Sequence, residues 1–145
     1  MIKSIEGNIL DAKSGFIVHQ VNPDGVMGGG LARMIADKWP VVLSDYKKLC
    51  GEPGDKKFSY TKVDDGLWVA NLFTQKSLAQ PMPRTLYENY PPALQALKLQ
   101  ANGWPIHIPF GLGCGLGGGD WNVVMPLIHY YLGYEDVTIW KFNPS

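Results

Sequence analysis

Two glycine-dense stretches, each set between a strand-like run and a helix-like run, constrain this chain more than any other feature. The first, Met27-Gly28-Gly29-Gly30-Leu31, follows the apolar, β-branched run 15–21 and leads into the helical run 31–39. The second, Gly111-Leu112-Gly113-Cys114-Gly115-Leu116-Gly117-Gly118-Gly119, follows Ile106-His107-Ile108-Pro109 and leads into a helical run from Trp121. Glycines in series cost chain entropy and make sense where backbone must approach something closely. A helix start offers unpaired N–H groups and the positive end of a dipole, which suits a phosphate. Two such loops predict two phosphates, or a diphosphate, held by the amides of Gly28, Gly29, Gly30 and Leu31 and by those of Gly113, Gly115, Leu116, Gly117 and Gly118.

The rest of the chain supplies a frame for these loops. Residues 2–6 alternate as a short strand, and 15–21 reads as a buried strand. The run 31–39 has helical spacing and is stopped by Pro40; 41–50 predicts a second short helix. Residues 58–63 and 67–73 flank the turn signal Asp64-Asp65-Gly66 and predict a hairpin. Segment 74–84 is loop-like. Thr85 is the expected cap of a helix ending near Gln100, with Pro91-Pro92 breaking or offsetting its first turn. Asp120 is a good N-cap for the helix from Trp121, in which Pro126 predicts a kink or a later start. Residues 137–142 form the last strand. About six strands with interspersed helices predict an α/β domain, 1–145, with a mixed sheet covered on both faces. Ligands bind such sheets at the carboxyl ends of strands, which both glycine loops leave.

Composition narrows the function classes. Apolar residues make up 46% and charged residues 18%, so the chain has the makings of a core. Formal net charge is zero, which removes the electrostatic footprint of a general nucleic-acid binder but not the reading of a single nucleotide. Cys50 and Cys114 lack metal-type spacing and predict two reduced thiols. No cofactor or metal is expected. The N-terminus does not read as a signal peptide, and no apolar run has membrane-spanning length, so a cytoplasmic location without a membrane partner is expected, in a host's cytoplasm if the source is viral.

The ordered set Gly7-Asn8-Ile9-Leu10, a strand ending near Asn22, Gly28-Gly29-Gly30-Leu31-Ala32, and a late Gly-Cys-Gly-Leu-Gly loop before a helix resembles the macro domain family over nearly the whole chain. The resemblance implies a three-layer α/β/α domain with a six-stranded mixed sheet that binds ADP-ribose across its top. Within the family, His19-Gln20-Val21-Asn22 ahead of the three glycines, with Asn71-Leu72-Phe73-Thr74 after the hairpin, is most similar to ADP-ribose-1″-phosphate phosphatases and their deADP-ribosylating relatives. Phage and bacterial versions of the domain look alike here. Implied partners are ADP-ribose or ADP-ribose-1″-phosphate, and also an ADP-ribosylated macromolecule. Three positions depart from family patterns. Asn8 stands where most members carry an aspartate that accepts from the adenine amino group; its carbonyl oxygen can accept in the same way. Gln75, followed by Lys76, stands where the glycohydrolases carry a lysine, so only a shift of register would let Lys76 substitute. Gly117 stands where they carry an aspartate. These departures shift the expectation from glycohydrolase to phosphatase, with a binding-only module as the remaining alternative.

The resemblance assigns ligand contacts to Asn8, Ile9, the two loops with Cys114 among them, and Trp140, whose indole would stack on adenine or simply fill the core. Nothing in the sequence lowers the Cys114 thiol pKa, so it reads as a packing residue rather than a nucleophile. Asn22 would hydrogen-bond the distal ribose. Asp24 is either a water-activating carboxylate or a turn residue. His19 is a general base, a donor to a phosphoryl oxygen, or a core histidine, since it shares a strand face with Ile17 and Val21. His19, Asn22 and Asp24 are thus the candidate catalytic groups.

Overall fold

Alternation of period two and period 3.6 resolves, among the described residues, into six strands and four α-helices. The computed structural model describes residues 1–142. Strands β1 (Ile2–Glu6), β2 (Gly15–Gln20), β3 (Phe58–Asp64), β4 (Leu67–Leu72), β5 (Ile106–Pro109) and β6 (Val137–Lys141) form one sheet in the order β1-β6-β5-β2-β4-β3. Every pairing is parallel except the β3–β4 hairpin. The five parallel strands therefore present their carboxyl ends at one edge.

Helices α1 (Gly30–Lys38) and α2 (Pro40–Cys50) cover one face, and α3 (Tyr90–Ala101) and α4 (Trp121–Leu132) cover the other. Alternate residues of β2 feed the two resulting cores. Phe16 and Val18 pack with Leu94, Leu97, Val124 and Ile128, whereas Ile17 and Val21 pack with Ile35, Val42 and Tyr46. Being apolar on both sides is why β2 reads as an uninterrupted apolar run. No described helix is long and apolar enough to cross a membrane.

Local signals explain most boundaries. Asp120 Oδ1 accepts from Asn122 N at 2.9 Å, the expected cap of α4. Pro91 and Pro92 sit in the first turn of α3, where a missing N–H costs nothing, and a 3₁₀ turn at Tyr87–Asn89 precedes them. Asn102 ends α3 in the left-handed conformation, φ +44°. Pro126 lies inside α4, which begins at Trp121, so of the two expected outcomes the later start is the one that does not occur. One expectation fails outright. Thr85 caps no helix; its hydroxyl is committed elsewhere, as described next.

Candidate functional site

Three segments leave neighbouring carboxyl ends and converge: 21–29 after β2, 110–120 after β5, and 73–86 after β4. Between them lies a cleft of about 700 Å³. From the candidate residues it gathers His19, Asn22, Gly28, Gly29, Gly30, Leu31, Gly113, Gly115, Leu116 and Gly117. Asn8, Ile9, Asp24, Cys114, Gly118 and Trp140 are not among its lining residues.

Backbone polarity follows the same division. The N–H groups of Gly28, Gly29, Gly30, Leu31 and Ala32 make no hydrogen bond to a described residue, and no side chain caps α1. Those of Gly113, Gly115, Leu116 and Gly117 are likewise free, whereas Cys114 N donates to Gly111 O and Gly118 N to Gly115 O. Among the predicted phosphate-loop residues, those that line the cleft are thus the ones with unpaired amides, and they form two sets of donors on the two loops with the start of α1 behind one of them. Leu116, 68% exposed, spans the gap: a Cβ on Gly29 would lie 3.0 Å from its Cδ1.

The glycines of the second loop answer to a second demand. Gln20 Oε1 accepts from the Thr74 and Tyr90 hydroxyls at 2.7 and 2.8 Å. Its Nε2 donates to Thr85 Oγ1 at 3.1 Å, and that hydroxyl donates to Gly113 O at 2.6 Å. A Cβ on Gly113 would meet the Tyr90 hydroxyl at 2.5 Å; one on Gly117 would meet Thr85 Oγ1 at 2.5 Å and Gln20 Nε2 at 2.6 Å. Close approach is required here by the chain's own side chains. This role of Gln20 and Thr85 was not legible in the sequence because their partners lie up to 70 residues away.

His19 lies at the floor of the cleft, 2% exposed. Its Nε2 is 2.6 Å from Asn71 Oδ1, and Asn71 Nδ2 donates to Ser59 Oγ at 3.0 Å. That orientation of the amide assigns the ring proton to Nε2 and leaves Nδ1 a lone pair with no partner among the described residues. Burial pushes the imidazole pKa down to about 4, against a smaller upward pull from Asn71, so the ring is neutral at neutral pH. Nδ1 is buried, and the donor role is already taken by Asn71.

Asn22 Oδ1 accepts from Asp24 N and from the Tyr46 hydroxyl at 2.9 and 2.7 Å, and its Nδ2 donates to Val26 O at 2.9 Å. One amide hydrogen is left over. A separate groove of about 450 Å³ between α2 and β3 touches neither glycine loop.

No protein-family model matches the chain. Among curated proteins it is 28% identical to a DNA ADP-ribosyl glycohydrolase of Thermus aquaticus over 99% of this chain. It is 35% identical to an ADP-ribose 1″-phosphate phosphatase of Candida glabrata over half of this chain. The chain spans only 41% of the first and the match covers 45% of the second. Among solved structures, the macrodomain of Mycobacterium tuberculosis DarG superposes with a TM-score of 0.80 at 27% identity, covering 100% of this chain and 99% of that one. The chain has the macro domain fold.

In this macro domain the remaining candidates have other partners. Asp24 Oδ2 accepts from Leu78 N at 2.6 Å and so ties the first loop to segment 73–86. Asn8 Oδ1 accepts from Leu10 N at 3.0 Å, starting a 3₁₀ turn in which Ile9 is buried. Trp140 Nε1 donates to His107 Nδ1 at 3.0 Å, while His107 Nε2 bonds Ser14 O. The aromatic ring lining the cleft on the β5 side is Phe110, half exposed, held against Trp121 with Lys141 Nζ 5.3 Å from its centroid. Burial and the nearby Asp120 carboxylate raise the Cys114 thiol pKa, the opposite of what a nucleophile needs. Gln75 lines the cleft of this macro domain and Lys76 does not.

Proposed function

We propose that this protein binds ADP-ribose along its cleft and hydrolyses ADP-ribose-1″-phosphate to ADP-ribose and phosphate. The carrying observation is the pair of unpaired amide sets on the two loops, with a neutral, buried histidine at the floor of the cleft. The diphosphate takes the amides of the two loops and the start of α1. The leftover Asn22 amide hydrogen serves the distal ribose. His19 Nδ1 is buried, so the ring serves as a fixed part of the cleft floor, and the terminal phosphorus is attacked by a water held above it. Its oxygen forms the new bond to phosphorus while the bond from phosphorus to the ribose oxygen breaks, and the leaving oxygen takes up the proton that the water gives up. A pKa near 4 makes His19 a weak base, so its contribution is chiefly the fixed floor against which that water sits.

The likeness to the Candida phosphatase supports this substrate. So does Gln75, a side chain that cannot form a lysine adduct. The likeness to the Thermus glycohydrolase, which runs the length of the chain, favours a second reading in which the bond broken is that between ribose C1″ and a modified macromolecule. Incubation with ADP-ribose-1″-phosphate and, separately, with ADP-ribosylated DNA and protein distinguishes the two. Phosphate release is expected only from the first, and it should fall by about 100-fold or more in His19→Ala while ADP-ribose binding persists. Release of ADP-ribose from the macromolecules without phosphate release would overturn the phosphatase assignment.

A further inference from the structure

Among the described residues one charged side chain lines the cleft, and neither the chemistry above nor the sequence motifs use it. Arg84 is the only Asp, Glu, Lys or Arg among the lining residues, and His19 beside it in that set is neutral. Its backbone is fixed from two sides. Arg84 N donates to Gly117 O at 2.9 Å, and Arg84 O accepts from Lys76 N at 2.8 Å, next to the bridge between Gln75 and Thr85. The guanidinium is spent only on local acceptors: Nε on Gln80 O at 2.8 Å and Nη1 on Met82 Sδ at 3.2 Å. No described carboxylate lies within ion-pair distance of it. An arginine fork left with a thioether and a peptide oxygen, at the wall of a cleft otherwise without charge, has unused capacity for a planar, bidentate anion.

Position says which anion. The cleft runs across strand ends from β5, where Phe110 stands, through β2, to β4, whose following segment carries Gln75 and Arg84. The free amides of the two loops account for a diphosphate in the middle. Arg84 adds a third anion-binding group, carried by the segment that follows β4 and set against Gly117 of the second loop. We infer that Arg84 is a specificity-determining residue that engages a terminal phosphate on the distal ribose and so distinguishes ADP-ribose-1″-phosphate from ADP-ribose. The inference rests on the proposed orientation of ADP-ribose in the cleft, with its distal ribose toward β4.

The test compares wild type, Arg84→Gln and Arg84→Lys on two ligands. ADP-ribose is titrated calorimetrically. ADP-ribose-1″-phosphate is followed by phosphate release, reading KM and kcat, or by titration if no phosphate is released. In Arg84→Gln the apparent affinity for ADP-ribose-1″-phosphate should weaken by about 10- to 100-fold, the range for a hydrogen bond to a charged group, with ADP-ribose affinity nearly unchanged. Arg84→Lys, which keeps the charge but not the fork, should recover part of the discrimination and lose its remaining preference as salt is raised. Equal weakening of both ligands, or of neither, would overturn the role of Arg84 while leaving the cleft assignment standing. Failure of wild type to bind ADP-ribose at all would overturn the proposed function, and this inference with it. Both backbone bonds of Arg84 survive either substitution, and an unchanged melting temperature checks that the fold does too.

Discussion

At the scale of single residues, His19 makes a prediction about stability as well as activity. Its pKa is about 4 when folded against an ordinary value of 6.5, because burial disfavours the charged ring. The unfolded chain therefore binds the proton more readily. The stabilisation is full above the unfolded pKa and is lost as pH falls from about 6.5 toward 4. A shift of that size corresponds to roughly 3 kcal/mol across the window. Urea midpoints measured from pH 7.5 to pH 4 should show this decline in wild type and a shallower one in His19→Gln, in which the titrating group is gone; parallel curves would refute it. Period two already sets His19 on the face of Ile17 and Val21, where the structure has it. The tautomer was not legible, because it depends on Asn71, reached only through the β2–β4 register. Gln20 was hidden for the same reason.

Among elements, the second glycine loop separates two reasons for having no side chain. A Cβ on Gly115 meets nothing within 4 Å, whereas one on Gly117 collides with Thr85 and Gln20. Gly115→Ala should leave the melting temperature nearly unchanged, and any loss should appear in ADP-ribose affinity. Gly117→Ala should cost about 1–3 kcal/mol of stability, the usual range for overpacking, with binding lost as a consequence. Thermal melts with and without ligand decide this, and equal melts for the two variants would contradict it. Glycine-rich passages between strand and helix are conspicuous in sequence, so both loops were found. Segment 73–86 has no periodicity and no glycine, yet it supplies Gln75, Leu78 and Arg84 to the cleft. Its place is fixed by backbone bonds to residues far along the chain, such as Thr85 N and Arg84 N to Gly117 O, and no local signal announces them.

For the molecule as a whole, hydrophobic periodicity carries most of the fold. The double-sided burial of β2, the hairpin and the four helices follow from apolar spacing and a handful of caps. Strand order does not, since pairing β1 with β6 joins segments more than 130 residues apart by register alone. The cleft sits at the edge where five parallel strands end, so a ligand there bridges segments carried by β2, β4 and β5. Saturating ADP-ribose at about 100 times its dissociation constant should then stabilise the whole fold by about 2.7 kcal/mol and raise the melting temperature by roughly 5–10 °C. The absence of any such rise would count against binding to the native state.

The bond from Gln20 through Thr85 to Gly113 has an evolutionary corollary. Two glycines of the late loop, Gly113 and Gly117, are held small by neighbours within the same polypeptide, so mutation away from glycine is penalised whether or not anything is ever bound. A descendant that had given up turnover, or even its nucleotide, would keep the outer glycines of the Gly-Cys-Gly-Leu-Gly signature for architectural reasons, while Gly115 drifted. Surveys that use those outer glycines to count active enzymes will therefore include silent ones. Arg84, which no packing constraint of that kind protects, is the position at which loss of function would first leave a trace.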